Sequence, residues 1–169
     1  FSKGLRIETI KPNRLKIYAK LPDAILATDA GQKIELQSTW LFGAPASNMK
    51  AIVEAQFSPL TFSPTGFKDF IFTDPARKTP GTVTTIFDGT LDASGKAKIN
   101  IPDIKDYLPE GQLTMSLKTR VFEAGGDFST DRQSTTFHPY DHYAGVAIPS
   151  NRWGYEELKM NESNDIRLA

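Results

Sequence analysis

The sequence predicts an all-β protein, about seven antiparallel strands closed into a two-sheet sandwich. Three observations predict it. Apolar and polar residues alternate with period two along much of the 169 residues, as a half-buried strand requires when successive side chains point to opposite faces. Gly, Pro and Asp cluster between the alternating runs, where a backbone must reverse. No stretch carries three turns of helical periodicity flanked by caps.

The elements follow in chain order. Leu15, Ile17, Ala19 and Leu21 share one face, with Arg14, Lys16 and Lys20 outward. Ile34, Leu36, Ser38, Trp40 and Phe42 alternate with Lys33, Glu35, Gln37 and Thr39, and this face places Trp40 in the core. Val53, Ala55 and Phe57 oppose Glu54 and Gln56, and Ala97, Ile99 and Ile101 oppose Lys96, Lys98 and Asn100. The longest run sets Leu113, Met115, Leu117, Thr119 and Val121 against Thr114, Ser116, Lys118 and Arg120. Ser129–Phe137 and Ala144–Ile148 are weaker candidates, and Tyr107–Leu108 fits a short helical turn. Turns are expected at Pro22-Asp23, Asp29–Gly31, Gly43–Pro45, Asp92–Gly95, Pro109–Gly111 and Gly125–Asp127. One-face-wet patterning of this kind belongs to antiparallel sheets.

Composition excludes several function classes. The 20 basic and 20 acidic residues cancel and the isoelectric point is near 6.9, which removes the net-charge case for a nucleic-acid or membrane-surface binder. The basic residues read as spread along solvated strand faces. The chain has no cysteine, so a disulfide framework, a thiol nucleophile and a thiolate metal site are all ruled out. No apolar run approaches the ~20 residues of a membrane-spanning helix.

No catalytic constellation emerges. The two histidines fall in His138-Pro-Tyr-Asp141-His142-Tyr143. Two imidazoles and a carboxylate suit a metal, but a four-residue spacing aligns side chains only on a helix, and Pro139 opposes one. A metal-assisted hydrolase built on His138, Asp141 and His142 is therefore the weakest reading, and a loop entering the last strand the stronger one. Ser94 sits in a turn where Ser and Gly are expected on backbone grounds, and no Gly-x-Ser-x-Gly elbow is present. Asp127 with Asp131 and Glu156 with Glu157 are pairs expected by chance among 20 carboxylates. The glycines form no phosphate-binding loop. The expected catalytic, cofactor and metal residues are none.

Two further regions stand out. Pro59–Pro80 interleaves Phe62, Phe67, Phe70 and Phe72 with four prolines, a long connection for a compact domain. It reads as a loop whose rings cap an open end of the sandwich, each worth ~2 kcal/mol on burial; the alternative is an exposed apolar patch for a partner. The chain opens at Phe1 and closes in a polar stretch, as expected of a piece of a longer polypeptide. Trp153 and Tyr155 lie beyond the last expected strand, where the alternatives are a contact with a following domain and a disordered tail.

Five stretches in register carry a resemblance. Trp40-Leu41-Phe42-Gly43-Ala44-Pro45-Ala46 resembles the Trp/Tyr-Leu-x-Gly-Ala-Pro-Ala motif of macroglobulin-like domains in the bacterial alpha-2-macroglobulin family. Ile10–Ile17 resembles the opening of that domain and Leu91–Ala97 its Leu-Asp-x-x-Gly-Lys/Arg-Ala turn. Val121–Phe128, with Phe122, Glu123, Gly125 and Gly126, resembles its Val-Phe-Glu-x-Gly-Gly element. Tyr143-Ala144-Gly145-Val146 resembles the closing strand, with Ala144 in place of the usual Val. These residues, Gly95 among them, are read as fold-determining. Gly and Pro after Trp40 turn the strand sharply out of its sheet, and Gly125-Gly126 is a hairpin signal in its own right.

The resemblance implies a macroglobulin-like domain over residues 10–149, of immunoglobulin- or fibronectin-III-like architecture, with 1–9 and 150–169 as a preceding linker and a linker or start of the next domain. It implies a structural, non-enzymatic part of a large protein thought to entrap proteases, in which a bait segment is cleaved, the domains rearrange and, in many members, a cysteine-containing thioester captures the attacker. No thioester can lie in a chain without cysteine. The implied partners are neighbouring macroglobulin domains and, through the full-length parent, target proteases, with no nucleic acid, no direct membrane insertion and no cofactor. The implied location is the periplasm or the outer cell envelope, with a lipid-anchored parent in some members. The alternative is a sandwich-type adhesin or carbohydrate-binding module, since such folds host many functions.

Overall fold

A computed structural model describes residues 13–27, 32–79, 81–102, 104, 108–149 and 158–169. The described residues form strands and connections, with no helix among them. The strands are β1 (Leu15–Lys20), β2 (Ala24–Leu26), β3 (Lys33–Trp40), β4 (Lys50–Pro59), β5 (Val83–Thr90), β6 (Lys96–Asn100), β7 (Leu113–Phe122), β8 (Phe128–His138), β9 (Val146–Ala147) and β10 (Arg167–Leu168).

Two sheets face each other. One has the order β1-β3-β6 and the other β2-β8-β7-β4-β5, with β9 and β10 as a small separate pair. Inward residues of the first sheet, Leu15, Ile17, Ile34, Leu36 and Ile99, meet Val53, Phe57, Leu113, Met115, Leu117, Val121 and Phe137 of the second in one buried cluster. Each such side chain contributes about 1.5–3 kcal/mol on burial. Phe57 and Phe137 lock edge-to-face at 5.0 Å, the arrangement aromatic quadrupoles favour. Polar groups in this interior are bonded: Ser129 Oγ accepts from the amides of Arg14 and Leu15, both at 3.1 Å, and Thr135 Oγ1 donates to the Pro22 carbonyl at 2.6 Å.

The structure departs from the sequence expectations in three places. The sheets are not wholly antiparallel, because β2 runs parallel to β8; Pro22-Asp23 carries the chain from one sheet to the other instead of reversing it within one. β5 carries no clean alternation. A bulge shifts its register opposite Val53 and Glu54, so consecutive residues Ile86 and Phe87 both lean on the core. Phe42 is 79% exposed and Trp40 only half-buried at the core's rim: β3 ends at Trp40, and the parity of a strand stops with it. Arg167 and Leu168, near the end of the chain, pair with Ala147 and Val146. The Asp29–Gly31 turn, Tyr107, Trp153, Tyr155 and residues 1–9 lie outside the described residues.

Candidate functional site

The five motif stretches fall at the two ends of the sandwich. Four of them meet at one end. After β3 the chain turns on Gly43, whose φ is +95°; the Gly43 amide donates to the Trp40 carbonyl and the Trp40 amide to the Ala44 carbonyl, both at 2.8 Å. The return brings Pro45 opposite Thr39, and the Ala46 amide donates to the Ser38 carbonyl at 3.0 Å. Ala46 is fully buried. The Asp92–Gly95 turn lies against this loop: the Ser38 amide donates to the Gly95 carbonyl at 2.8 Å, and Ser47 Oγ to the Ala93 carbonyl at 2.6 Å. A Cβ on Gly95 would stand 2.5 Å from the Ser38 carbonyl oxygen and 2.9 Å from the Ala46 nitrogen, at a φ of +75°. Only glycine fits there.

Asp92 holds the turn from within. Its Oδ1 accepts from the Ser94 amide at 2.8 Å, the Ser94 hydroxyl at 2.6 Å and the Lys96 amide at 2.9 Å. These bonds, the Ser94 hydroxyl foremost, hold the Asp92 carboxyl below its ordinary value. Ser94 is thereby held within its own turn.

Across the same end, Arg14 joins the remaining stretches. Its guanidinium lies 5.6 Å from the Trp40 ring centroid and pairs with Glu123 Oε2 at 3.0 Å. Phe42 stacks on Trp40 at 5.9 Å. The Glu123–Asp127 turn closes by the Gly126 amide donating to the Glu123 carbonyl at 2.9 Å, with Gly126 at φ +86° and open space around Gly125. Phe122 and Phe128 touch at 5.5 Å across it. Leu41 and Phe42 form an exposed apolar tip on an otherwise bonded assembly.

The opposite end is closed by rings. Phe62 packs on Phe72 at 5.3 Å and on Tyr143 at 4.7 Å. Gly145 packs against Phe72, whose ring carbon would lie 2.5 Å from an added Cβ. Tyr143 Oη is 3.1 Å from His138 Nδ1, and burial pushes the Tyr143 hydroxyl up to about 12. Gln112 Nε2 reaches the other His138 nitrogen at 3.3 Å. Backbone bonds tether the long loop to β7 and β9: Leu60 N to Gln112 O, and Ile71 with Val146 in both directions. Phe62, Phe70 and Phe72 are half-buried and Phe67 is 41% exposed, so the loop caps the end and still shows a ring to solvent.

The family model of the bacterial alpha-2-macroglobulin MG5 domain matches residues 13–139. The chain belongs to this family. Solved structures with the same fold include trypsin-activated alpha-2-macroglobulin of Escherichia coli, with 20% identity over 82% of this chain and a TM-score of 0.64. The native conformation of the E. coli protein matches with 19% identity over 95% and a TM-score of 0.62. Salmonella alpha-2-macroglobulin reacted with methylamine matches with 20% identity over 85% and a TM-score of 0.61. The chain spans 9% and 10% of the length of the first two. No curated protein sequence matches it.

In this MG5 domain the groups weighed for chemistry lie in different surroundings. His138 is half-buried between Gln112 and Tyr143, while Asp141 and His142 are exposed. Among the described residues no three His, Asp or Glu side chains gather closely enough to hold a metal ion. The ring-closed end does contain a cleft of about 460 Å³, lined by Phe72, Arg77, Pro109, Tyr140 and Tyr143 among others. Of its ionisable groups, Arg77 pairs with Asp74 at 3.0 Å and donates to Tyr140 Oη at 3.0 Å, which donates to the Pro109 carbonyl at 2.6 Å; Glu110 accepts from Thr79 Oγ1 at 3.2 Å, and His142 also lines the cleft. The cleft is largely apolar. Sequence reasoning found the motif residues but not Arg14 and Glu123 as partners, since their contact spans over a hundred residues of chain.

Proposed function

We propose that this chain is a non-catalytic scaffold domain of a larger bacterial alpha-2-macroglobulin-like protein that entraps proteases. The observation that carries the reading is the character of the motif residues. Trp40–Ala46, Gly95, Phe122, Glu123, Gly125 and Gly126 make turns, backbone hydrogen bonds and ring contacts with one another, and none stands free to react. Tyr143 and Gly145 do the same at the other end.

In this reading the domain works by shape. It contacts neighbouring macroglobulin domains of its parent through the sandwich ends, where the Leu41–Phe42 tip is exposed, and meets proteases only through that parent. The parent resides in the periplasm or outer envelope, lipid-anchored in some members. No helix among the described residues is long and apolar enough to cross a membrane.

The test is functional and structural together. The folded chain is expected to show no turnover of ester, peptide or glycoside substrates. Within the parent, replacing Leu41 and Phe42 by Ser is expected to loosen domain packing and weaken protease entrapment, with the isolated domain's stability unchanged. Turnover that survives repurification, or entrapment unaffected by the tip variant, would overturn the scaffold reading. The cleft between Tyr140, Tyr143 and Phe72 gives the carbohydrate-binding alternative its one foothold. A glycan array on which this chain binds, and its Tyr143→Ala variant does not, would favour that alternative.

A further inference from the structure

The neutral charge of the chain conceals a segregation. In the β1-β3-β6 sheet, alternation turns Leu15, Ile17, Ala19, Ile34, Leu36 and Ile99 inward. The outer face therefore carries Lys16, Lys20, Lys33, Lys96 and Lys98, with Glu35 as its single carboxylate. The pairing register sets them side by side: Lys20 opposite Glu35 and Glu35 opposite Lys98, then Tyr18 opposite Gln37 and Gln37 opposite Lys96. Glu35 bonds Lys96 at 3.0 Å. Lys96 first, then Lys20 and Lys98, hold the Glu35 carboxyl below its ordinary value, as expected where several ammonium groups surround one acid.

The outer face of the other sheet is built differently. There Lys50 pairs with Asp88 at 3.4 Å, and Glu54 takes Arg120 at 2.8 Å and Lys118 at 3.9 Å. The strands of that sheet carry three carboxylates, Glu54, Asp88 and Asp131, among four basic residues, Lys50, Lys118, Arg120 and Arg132, whereas the three-stranded one sets five lysines against a single carboxylate. Sequence alternation read these lysines as a solvated face, and the strand order gathers them.

We propose that the β1-β3-β6 face docks on an anionic lipid bilayer surface, without insertion. The charge sign demands an anionic partner, and the residue types choose among anions. A protein carboxylate is read best by the planar fork of arginine, and protein interfaces deplete lysine in favour of aromatic and arginine anchors. This face has no arginine on its three strands, and its one exposed ring is Tyr18, 56% exposed beside the lysine rows. Lysines are compact hydrated charges suited to a diffuse lattice of phosphates, and an amphipathic tyrosine suits headgroup level. Geometry argues against a nucleic acid. A flexible polyanion would also meet the carboxylates elsewhere on the surface, such as Asp69 and Asp88, whereas a plane touches one face alone. The proposal goes beyond the scaffold reading and does not depend on it.

The experiment is co-sedimentation of the full 169-residue chain with vesicles of phosphatidylcholine alone and of phosphatidylcholine mixed with phosphatidylglycerol. Binding is expected only to the mixed vesicles and is expected to weaken as salt rises past about 0.15 M, where the Debye length is about 8 Å. Replacing Lys16, Lys20 and Lys98 by Gln is expected to weaken binding about 100-fold, since each lysine near such a surface adds roughly five-fold. The same charge removed at Lys50, Lys68 and Lys118 is expected to leave it nearly intact, with circular dichroism confirming that both variants fold. Three results would overturn the proposal: no preference for phosphatidylglycerol, equal loss in both triple variants, or binding to duplex DNA but not to the mixed vesicles.

Discussion

The two ends of the sandwich are closed by different means. The registers of β4, β7 and β8 place Lys50, Phe122 and Phe128 at one end and Pro59, Leu113 and Phe137 at the other. At the first, backbone meets backbone: the Trp40–Ala46 loop and the Asp92–Gly95 turn interlock through Ser38, with no room for a methyl group. At the second, rings meet rings around Phe62 and Phe72, and a cleft of about 460 Å³ remains. Backbone has no side-chain torsions with which to yield, whereas an aromatic side chain has two. One end therefore specifies its residues strictly, and the other can adapt.

The strongest break of this contrast is Gly95→Ala. The new Cβ would meet main-chain atoms of both Ser38 and Ala46 at a left-handed φ, so we expect a loss of ~3 kcal/mol or more. Urea unfolding followed by circular dichroism measures it. Gly125→Ala, with nothing within 4 Å of its Cβ, is expected to stay within about 0.5 kcal/mol of the unsubstituted chain. Equal losses at the two glycines would mean that Gly95 is not the keystone described.

At the ring-closed end, Phe62→Ala removes contacts to Phe72, His138 and Tyr143. Phe62 is only half-buried, so the expected loss is ~2 kcal/mol, accompanied by faster proteolysis within residues 59–79. Gly145→Ala should cost less, about 1–2 kcal/mol, because the obstacle is the movable Phe72 ring. Adding Phe72→Leu should recover part of that loss, and a double-mutant cycle reports it directly. No recovery would show the second end to be as unyielding as the first.

The contrast also explains what was legible in the sequence. β3, β4 and β7 were readable because each buries one face along its whole length, so period two survives from end to end. β5 was not, because its bulge puts Ile86 and Phe87 on the core together and leaves its first residues exposed. β2 is three residues long and pairs in parallel with a strand more than a hundred residues away; no local pattern encodes that. Gly95 was legible as a turn but not as the seat of Ser38 and Ala46, which are distant in the chain. The lysines of β1, β3 and β6 were visible singly, and their common face appeared only with strand order.

A smaller effect sharpens the account of the backbone-closed end. Arg14 and Glu123 bridge its two halves at 3.0 Å, with the Glu123 side chain 10% exposed and that of Arg14 62% exposed. Exposure of the guanidinium screens the pair, and the Trp40 ring adds a cation–π contribution, so a coupling of about 0.5–1 kcal/mol is expected. Arg14→Ala and Glu123→Ala, singly and together, give it by a double-mutant cycle. A null coupling would reduce Arg14 to its packing on Trp40.

The last test concerns acid. The Asp92 carboxyl titrates below its ordinary 3.8 in the folded chain, through its bonds to the Ser94 hydroxyl and the Lys96 amide. Its folded value is depressed, so between the folded and unfolded values the unfolded chain binds more protons, and stability falls as pH falls. The contribution is fully present above the unfolded value of about 3.8 and vanishes once pH drops below the lowered folded value. Asp92→Asn keeps an acceptor for the turn but has no proton to gain. Its unfolding midpoint should therefore lie below that of the unsubstituted chain at neutral pH, and the two should converge as pH falls through this window. If both chains lose stability in parallel instead, the acid sensitivity belongs to other carboxylates and the turn is held by its backbone alone.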